Sequence, residues 1–400
     1  MNRIIISLLD TDWYKITMNR VFFYRFSDVV GEYAFICRSS DIQFTEEMVN
    51  EIREQIDDLC NLRYSKEEID FIRSVPYMNN AVGYLEFLKL FQLNREFITV
   101  NKTIPGDGSC GLSIRAKGPL WAVSPFEIYV LAIVNEVYFS HVNKRLLDTH
   151  GYGLHVSARK NLNSKLIGFN KSPFPIMEFG TRRRLSHENQ RNVIDLLLKK
   201  IPKYFIGTSN VLFSKEFGLK PQGTFAHEYA CMPQGLNDCS LRNSQRYAWD
   251  QWCREYRGDI GCCLTDTLGQ WKFEQDFDKY WANMFTSLRH DSGDPIAWGD
   301  RMISIYRKFG IDPMTKTLVF SDSLDFTMAR KIHTYFKDTI RTVFGIGTFL
   351  TNDTHMAPLN IVMKLVSVNN RPVAKLSNVS GKATCEDAEF VERLKREIDY

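Results

Sequence analysis

The amino-acid sequence predicts an α/β fold, a barrel of seven parallel strands that follows an N-terminal α+β domain. Two observations predict it. From about residue 175 onward, short apolar segments recur, each followed by polar or glycine-rich residues and then by a helical pattern. Before that point, strand and helix patterns mix without such alternation. Strand–helix repetition gives parallel strands, and many units in a row favour a barrel over an open doubly wound sheet, which remains the alternative.

The strands and helices of the predicted barrel can be read segment by segment. The strands are predicted at 175–179, 204–206, 224–226, 261–264, 284–288, 317–320 and 342–344. The helices are predicted at 187–199, 210–217, 296–309 and 325–336, where apolar residues recur with helical period. In a barrel the residues that follow the strands meet at one rim, where such folds place their active sites.

The regions on either side of the barrel are mixed. The first contains a helix over 10–26, capped by Asp10 or Thr11. After this helix the sequence predicts, in chain order, a strand at 31–38, a helix at 46–73, two strands within 97–117 around a turn at 108–111, and a helix at 125–147. After residue 351, strands at 360–368 and 373–377 form a hairpin that turns at Asn369–Asn370. We therefore predict domains at 1–130, 131–350 and 351–400, the last packing on the first.

The composition excludes several classes of protein. An apolar share of 44% and a charged share of 24% are typical of a globular protein rather than a disordered or fibrous one. The net charge of +4, without a long basic run, gives no indication of nucleic-acid binding. The densest basic run is Arg182–Arg184, which is short enough to serve a small anionic ligand.

The cysteines and the apolar segments bear on the compartment. The nine cysteines are odd in number and lack CxxC spacing, so we expect reduced thiols rather than disulfides or a zinc site. The longest apolar stretch, around Tyr129 to Val134, is too short to span a bilayer, and no export signal is visible. We expect no membrane partner and a cytoplasmic location.

Chemically active residues follow almost every predicted strand. They are found at 181–184, 207–210, 227–228, 265–266, 289–294, 321–322 and 345–348. Arginine forks pair with phosphate and carboxylate oxygens, carboxylates hold Mg²⁺ or ribose hydroxyls, and the N–H groups of glycine turns cradle phosphate. The rim therefore suits a ligand with several phosphates and a magnesium ion, whose protein ligands the sequence leaves open.

The turn Gly345–Thr348 is a candidate phosphate site. It lacks the third glycine of a dinucleotide fingerprint, and the chain has no Walker A motif. A GxG after a strand is by itself more often a tight turn. Late loops of such barrels commonly bind phosphate, however, and Ser321 follows the preceding strand. We therefore assign Gly345, Gly347 and Thr348 to phosphate binding.

Two further loops carry candidate catalytic groups. His227, in GTFAHE, is either a structural histidine or a rim imidazole that acts as a base or phosphoryl acceptor. Alternation turns Glu228 away, so a partner for the imidazole should come from another loop, such as 265–266 or 321–325. In Arg289–Asp294, alternation places Arg289 and Asp291 on one side and turns His290 away. A plain Arg–Asp salt bridge is the alternative.

At these motifs the sequence resembles the nicotinate phosphoribosyltransferase family, in its bacterial form. The matching motifs run in family order along nearly the whole chain. They include LLDTDWYKITM (8–18), EFGTRRRLS (178–186), GTFAHEY (223–229), LTDTLG (264–269), LRHDSGDPIAWG (288–299) and FGIGTFLTND (344–353). Each is weak alone, but together in one order they leave little room for chance.

The resemblance implies a type II phosphoribosyltransferase fold, an irregular seven-stranded α/β barrel with an N-terminal α+β domain, in a homodimer with sites at the interface. It implies transfer of phosphoribosyl from phosphoribosyl pyrophosphate to nicotinate, giving nicotinate mononucleotide and pyrophosphate, with Mg²⁺ as cofactor and ATP as co-substrate. The family's phosphohistidine matches His227, which with Asp291 is the predicted catalytic pair. Its nicotinate-binding residues match Tyr14, Thr224 and Arg289. The phosphoribosyl-binding groups fall on Arg182, Ser321, Asp322, Gly345, Gly347 and Thr348, with Asp291 a further candidate.

Two other functions remain as alternatives. A sister enzyme that uses nicotinamide would not need the charge of Arg289, since the amide is neutral. A catalytically silent binding protein on the same fold would usually lack one of the catalytic residues. A quinolinate-decarboxylating relative has no reason to keep a phosphohistidine segment.

Overall fold

The computed structural model describes residues 3–39, 42–104, 110–150, 153–376 and 385–400. The chain begins with a helical and antiparallel region. Its elements are α1 (Trp13–Arg25), β1 (Val30–Cys37), α2 (Glu46–Cys60), α3 (Lys66–Ser74), α4 (Val82–Leu90), β2 (Ile98–Lys102), β3 (Leu112–Pro119), α5 (Leu120–Val123), α6 (Phe126–His150) and α7 (Leu154–Leu166).

The second region alternates between strands and helices. Its elements are β4 (Ile176–Glu178), α8 (His187–Lys200), β5 (Phe205–Thr208), α9 (Val211–Glu216), α10 (His227–Cys231), α11 (Ser244–Tyr256), β6 (Cys262–Leu264), α12 (Gln270–Asp276), α13 (Lys279–Met284), β7 (Ser287–His290), α14 (Pro295–Lys308), β8 (Thr317–Phe320), α15 (Phe326–Phe336), β9 (Arg341–Ile346) and α16 (Thr348–Thr351). The chain ends with β10 (Ile361–Val368), β11 (Arg371–Pro372) and α17 (Ala388–Glu397).

The strands form two sheets of different kinds. One is antiparallel, in the order β11-β10-β1-β3-β2. The other is parallel, in the order β5-β4-β9-β8-β7-β6, with helices between its strands. The α/β class with an N-terminal α+β region is confirmed, and so are six of the predicted barrel strands.

The prediction of a strand at 224–226 was wrong. This segment is extended but joins no ladder in the part of the chain that the structure describes. It lies between the two edge strands of the parallel sheet instead. The amide of Gln222 donates to the Thr208 carbonyl of β5, and the hydroxyl of Thr224 donates to the Cys262 carbonyl of β6. A side chain thus makes one of the bonds that a seventh strand would make with its backbone.

Local capping explains the other shifts between prediction and structure. The strand predicted at 284–288 begins later, at Ser287, because Asp278 caps α13 by accepting from the Tyr280 and Trp281 amides. The helix predicted over 46–73 is two helices, since Ser65 starts α3 with a capping box. Neither Asp10 nor Thr11 caps α1, whose N-cap is Asp12.

The long helix α6 lies in the core. The helical stretch Leu120–Asp148 is long and apolar enough to span a membrane, so the apolar segment extends beyond the predicted Tyr129–Val134. However, 94% of its most apolar window is buried inside the protein, which is typical of a core helix. It packs against α2 and β10. The predicted domain boundary at residue 130 falls inside this helix, and the three domain ranges stay predictions.

The C-terminal hairpin turns at the predicted place. Asn369 and Asn370 have φ angles of 50° and 60°, as a tight turn between β10 and β11 requires. β10 pairs along β1, but the second strand of the hairpin is β11 at Arg371–Pro372 and not at the predicted 373–377. The amide of Val373 makes one more bond, to the Val366 carbonyl, before the chain leaves the sheet. Leu376 then forms a parallel bridge with Leu268 beside the barrel. Residue 377 and the 108–109 part of the other predicted turn lie outside the described residues. All nine cysteines are described and are free thiols, as predicted.

Candidate active site

The site is built from the barrel rim and the N-terminal helix. Because β4 to β9 are parallel, the residues after each strand lie at one edge of the sheet. α1 reaches the same edge, since the Trp13 amide donates to the Ser209 carbonyl and Asp12 bridges to Asn210, just after β5. Residues from distant parts of the chain therefore meet there.

His227, the first residue of α10, lies between two aspartates of neighbouring loops. Its Nε2 is 2.8 Å from Oδ1 of Asp266, and its Nδ1 is 3.7 Å from Oδ2 of Asp291. A proton assigned to Nε2 makes the hydrogen bond and leaves a lone pair on Nδ1. Burial, together with the Lys375 ammonium, lowers the pKa of His227 in spite of the two carboxylates. The imidazole is therefore neutral at pH 7, and Asp266 is the acceptor expected from the loop 265–266.

Asp266 is buried and holds three donors. Besides His227, it accepts from Oγ of Ser292 at 2.9 Å, and its Oδ2 lies 2.7 Å from Nζ of Lys375. Burial raises the pKa of Asp266, but His227 and Lys375 outweigh burial and keep it well below its usual range. Sequence reasoning missed Lys375. No local pattern marks it, because its place depends on where the chain runs after the hairpin.

Arg289 is held by two neighbours on the same rim. Its Nε donates to Oγ of Ser321 at 2.8 Å, and its Nη2 donates to Oδ1 of Asp291 at 2.9 Å. The salt bridge that stood as the alternative is present, yet 22% of the Arg289 side chain remains exposed to a ligand. His290 turns away as predicted and packs on Trp298, with the ring centroids 5.2 Å apart.

Thr224 connects the other two predicted nicotinate-binding residues. Its carbonyl accepts from Oγ1 of Thr17 at 2.6 Å, which ties it to α1, the helix of Tyr14. Its hydroxyl donates to the Cys262 carbonyl at 3.1 Å, which ties it to β6. β6 pairs with β7, the strand that carries Arg289. The three elements are thus fixed next to one another.

Glu127, at the start of α6, gathers a second group of charges. Its Oε2 accepts from the Tyr14 hydroxyl at 3.4 Å and lies 2.6 Å from Nζ of Lys15. Its Oε1 lies 3.6 Å from Nη1 of Arg182. Lys15 also bonds Glu228, the residue after His227. Sequence reasoning missed Glu127 and Lys15 and treated Glu228 as turned away from the site.

The three consecutive arginines have different surroundings. Arg184 is fully buried, bonded in bidentate fashion to Asp10 and also to Glu136. Arg182 keeps a 36% exposed side chain. Burial, with Arg182 nearby, lowers the pKa of Arg183 to about 10. Arg184 is therefore closed to a ligand, whereas Arg182 keeps an exposed edge.

The loop after β9 carries the predicted phosphate turn. Gly345 lies within the strand and is buried against Phe179. A Cβ atom at this position would lie 2.4 Å from the Phe179 ring. Gly347 precedes the short helix α16, which starts at Thr348. The first amides of a helix have no acceptor inside it, so those of Thr348 and Phe349 are positioned for a ligand, whereas the amide of Leu350 donates to the Gly347 carbonyl. Asp322 follows β8 and accepts from the hydroxyl of the next residue at 3.1 Å.

Basic side chains from three regions approach one another near this edge. Burial, with Arg38 and Lys375 nearby, lowers the pKa of Lys364 to about 8. Arg38 acts on Arg183 in the same direction. The four cations come from the end of β1, the middle of β10, the loop after β4 and the segment after β11. Mutually repelling cations of this kind mark a place where an anion is stabilised.

The predicted site residues thus fall into three groups. The first contains Asp291, Arg289 and Ser321, which are joined by hydrogen bonds, and His227, whose Nδ1 lies 3.7 Å from Asp291. The second, around Glu127, contains Tyr14 and Arg182, and Thr224 joins the two. The third, after β8 and β9, contains Asp322, Gly345, Gly347 and Thr348.

Comparison with known proteins decides the family. A family model described as the nicotinate phosphoribosyltransferase (NAPRTase) family matches residues 174–400, and one described as its N-terminal domain matches residues 9–135. The chain belongs to the nicotinate phosphoribosyltransferase family. It is 42% identical over 403 residues to the nicotinate phosphoribosyltransferase of Chromobacterium violaceum. The aligned region covers 98% of this chain and 96% of that protein. The resemblance noted in the sequence is confirmed, and the chain is an enzyme of this family.

Solved structures agree with this assignment. The nicotinate phosphoribosyltransferase of Vibrio cholerae superposes with a TM-score of 0.92 at 36% identity, covering 99% of this chain and 94% of that one. The protein of the same name from Porphyromonas gingivalis gives a TM-score of 0.88 at 33% identity, covering 99% of this chain and 100% of that one. The predicted fold of the family is therefore confirmed over nearly the whole chain.

Proposed function

We propose that this enzyme transfers the phosphoribosyl group of phosphoribosyl pyrophosphate to nicotinate and couples the transfer to ATP through a phosphohistidine at His227. The observation that carries the proposal is the neutral imidazole of His227, held by Asp266 through Nε2 at the barrel rim. Nδ1 of this imidazole lies 3.7 Å from Oδ2 of Asp291, whose other carboxylate oxygen accepts from Arg289. The family name adds nicotinate and phosphoribosyl as the reactants.

Nicotinate binds between Tyr14, Thr224 and Arg289 in this proposal. The Tyr14 ring covers the flat pyridine by stacking. Arg289 offers its partly exposed guanidinium to the carboxylate, and a charged fork suits a planar carboxylate. Asp291 already neutralises part of that charge. This need for charge favours nicotinate over nicotinamide, the first alternative substrate.

The phosphates bind among the basic side chains and at the turn after β9. Positive charge develops at C1 of the ribose as pyrophosphate leaves, so the leaving group must be neutralised by cations. Arg182, Arg183, Lys364 and Lys375 supply them. The turn at Gly347 and Thr348 offers backbone N–H groups, and Ser321 and Asp322 adjoin it on the preceding loop.

Mg²⁺ fits the oxygen groups present only in part. The ligating atoms of His227, Asp266 and Asp291 lie within 4.8 Å of one another. Asp266 is occupied by three donors, whereas Oδ2 of Asp291 lies 3.7 Å from the neutral imidazole of His227 and 3.9 Å from Nζ of Lys375. Mg²⁺ prefers oxygen ligands and is usually shared with substrate phosphates. In this proposal Asp291 would be the protein ligand and oxygens of the diphosphate would complete the site, where Mg²⁺ would help to neutralise the leaving group.

The ATP half-reaction uses the lone pair on Nδ1 of His227. Nδ1 forms a bond to the γ-phosphorus, the bond from that phosphorus to the β,γ-bridging oxygen breaks, and ADP leaves with the electron pair. Asp266 stabilises the positive charge that the ring acquires. Water later takes the phosphoryl group, which restores the imidazole and releases phosphate. A homodimer in the cytoplasm completes the proposal, without nucleic-acid or membrane partners.

The test is to incubate the protein with nicotinate, phosphoribosyl pyrophosphate, Mg²⁺ and ATP. We expect nicotinate mononucleotide together with an equal amount of ADP. Replacing nicotinate with nicotinamide is the control, and efficient use of nicotinamide would favour the sister activity. Failure to form any mononucleotide would leave the silent binding protein as the better description, in spite of the complete set of site residues.

A further inference from the structure

A buried ion network joins the part of the site around His227 to the part around Tyr14, and the reaction proposed for the site does not use it. Nζ of Lys15 lies 2.6 Å from Oε2 of Glu127 and bonds Oε1 of Glu228. The side chains of Lys15, Glu127 and Glu228 are 2%, 8% and 7% exposed. The Tyr33 hydroxyl of β1 lies beside the Glu228 carboxylate. Four elements of the chain therefore meet at one lysine.

The positions of these residues in the chain are informative. Lys15 follows Tyr14 on α1, and Glu228 follows His227 on α10. Glu127 accepts from the Tyr14 hydroxyl and faces Arg182 with its other oxygen. The network thus fixes the backbone beside the proposed phosphoacceptor to the backbone beside the proposed nicotinate residue.

Stability alone does not account for the network. Removing charged groups from water is costly, and a buried salt bridge is often no more stabilising than apolar residues of the same size. Here one lysine is shared by two carboxylates, and a second cation, Arg182, balances the excess. Such networks instead specify one relative position of the elements that carry them.

We propose that the Lys15–Glu228 ion pair is a positioning device that fixes His227 against the Tyr14 pocket, so that its loss uncouples ATP use from phosphoribosyl transfer. The inference rests on the proposed function of His227. Attack on the γ-phosphorus requires Nδ1 in line with it, and a displacement of about 1 Å costs on the order of 100-fold in rate. Transfer to nicotinate does not use the imidazole, so its rate should depend far less on the position of His227.

The test uses Glu228→Gln in the full-length enzyme. Lys15 keeps Glu127 at 2.6 Å, so the substitution leaves no unpaired buried lysine and the chain should fold. We expect phosphorylation of the enzyme by ATP to slow by about 10- to 100-fold. The ADP released per mononucleotide should fall with it, while the KM for ATP and the transfer rate without ATP change far less. An unchanged ratio of ADP to mononucleotide would overturn the proposal.

Asp276→Asn is the matched control. Asp276 pairs with the buried Lys272 at 2.6 Å on α12, and their side chains are 6% and 4% exposed. It removes a buried carboxylate away from His227 and, unlike Glu228→Gln, takes from its lysine the carboxylate it pairs with, so it is the harsher change for the fold. It should nevertheless leave the ratio of ADP to mononucleotide unchanged. An equal loss of coupling in this variant would mean that Glu228→Gln acts through general destabilisation.

The double variant Lys15→Met/Glu228→Gln separates positioning from charge burial. It removes both charges of the pair, and we expect it to be as uncoupled as the single variant. Recovery of coupling would show that an unbalanced charge, and not the lost position, was the cause. Wild-type enzyme labelled in parallel keeps the two hypotheses apart: if it takes up no phosphate at all, the proposed function fails, and if it does so with Glu228→Gln unimpaired, only this inference fails.

Discussion

Two charged clusters on the same rim differ in a way that separates structure from function. Around Arg184, both carboxylates and the guanidinium are buried, and the bidentate pair with Asp10 has bonds of 2.7 and 2.9 Å. Around His227, the exposed fraction of the side chain is 20% for His227 itself and 23% for Asp291. Both clusters come from equally conspicuous motifs. The first is closed, whereas the second keeps polar atoms within reach of a ligand.

A charged side chain in a rim loop does not by itself indicate a ligand-binding site. Arg182 and Arg184 are two residues apart in the chain, yet only Arg182 has a free edge. The helical turn Thr181–Arg183 points successive side chains in different directions, so one enters the core beside Glu136 while its neighbour reaches the rim. Access, together with unsatisfied hydrogen-bonding capacity, is the feature that distinguishes the functional cluster.

The largest effect on stability should follow from opening the closed cluster. Arg184→Met leaves Asp10 and Glu136 buried without their partner, and we expect the free energy of unfolding to fall by about 3–5 kcal/mol. Arg182→Met is the control and should change it little, because that side chain is partly exposed. Chemical denaturation of the two variants measures the difference. Similar losses in both would contradict the division into closed and open clusters.

In the open cluster, Arg289→Ala should affect binding of nicotinate. If Arg289 holds the carboxylate of nicotinate, the variant should lose about 2–5 kcal/mol of transition-state stabilisation. The value of kcat/KM for nicotinate should then fall about 30-fold or more. Activity with nicotinamide, which lacks the charge, should fall less. Steady-state kinetics with both compounds is the measurement, and equal losses would indicate that Arg289 serves the pyrophosphate.

The two glycines at the C-terminal end of β9, one inside the strand and one directly after it, should respond differently to an added methyl group. Gly345→Ala places a Cβ atom 2.4 Å from the Phe179 ring, and overpacking of this kind costs about 1–3 kcal/mol of stability. At Gly347 the nearest atom is the Phe179 carbonyl oxygen, at 3.1 Å. Gly347→Ala should therefore fold and raise the KM for phosphoribosyl pyrophosphate. If instead only Gly345→Ala changes that KM, the phosphate turn has been assigned to the wrong glycine.

The smallest expected effect is a shift in a pH profile. Burial and then Lys375 lower the pKa of His227, so the neutral imidazole persists to a lower pH than usual. Lys375→Met removes a nearby cation and should raise that pKa. The acidic limb of ADP release against pH should then move to higher pH. Lys395→Met, on the surface of α17, is the control. No shift would mean that Lys375 acts only through Asp266.

The sequence predicted the elements better than the contacts between them. Periodicity found most strands and helices because local burial patterns follow their own period. It missed the outcome at 224–226, where a threonine side chain replaces a backbone bond. It also placed the helix cap on Asp10 or Thr11, whereas the N-cap is Asp12 and the Asp10 carboxylate is bonded to Arg184, far along the chain.

The site was predictable where strand ends determine it. Asp266 could be expected beside His227 because both follow strands or extended segments of the rim. Lys375 and Lys15 could not, since each reaches the site from another part of the fold. Long-range placement of this kind depends on how the C-terminal segment and α1 pack, which no local pattern encodes.

The most direct test of the central claim is labelling of His227→Ala with γ-labelled ATP. We expect the wild-type enzyme to take up acid-labile phosphate and the variant to take up none, with ATP hydrolysis abolished. Nicotinate mononucleotide should still form slowly without ATP, because the bond to C1 of ribose needs the cations and a positioned ring and not the imidazole. If the variant still takes up acid-labile phosphate from ATP, another residue is the acceptor and the assignment of His227 is wrong.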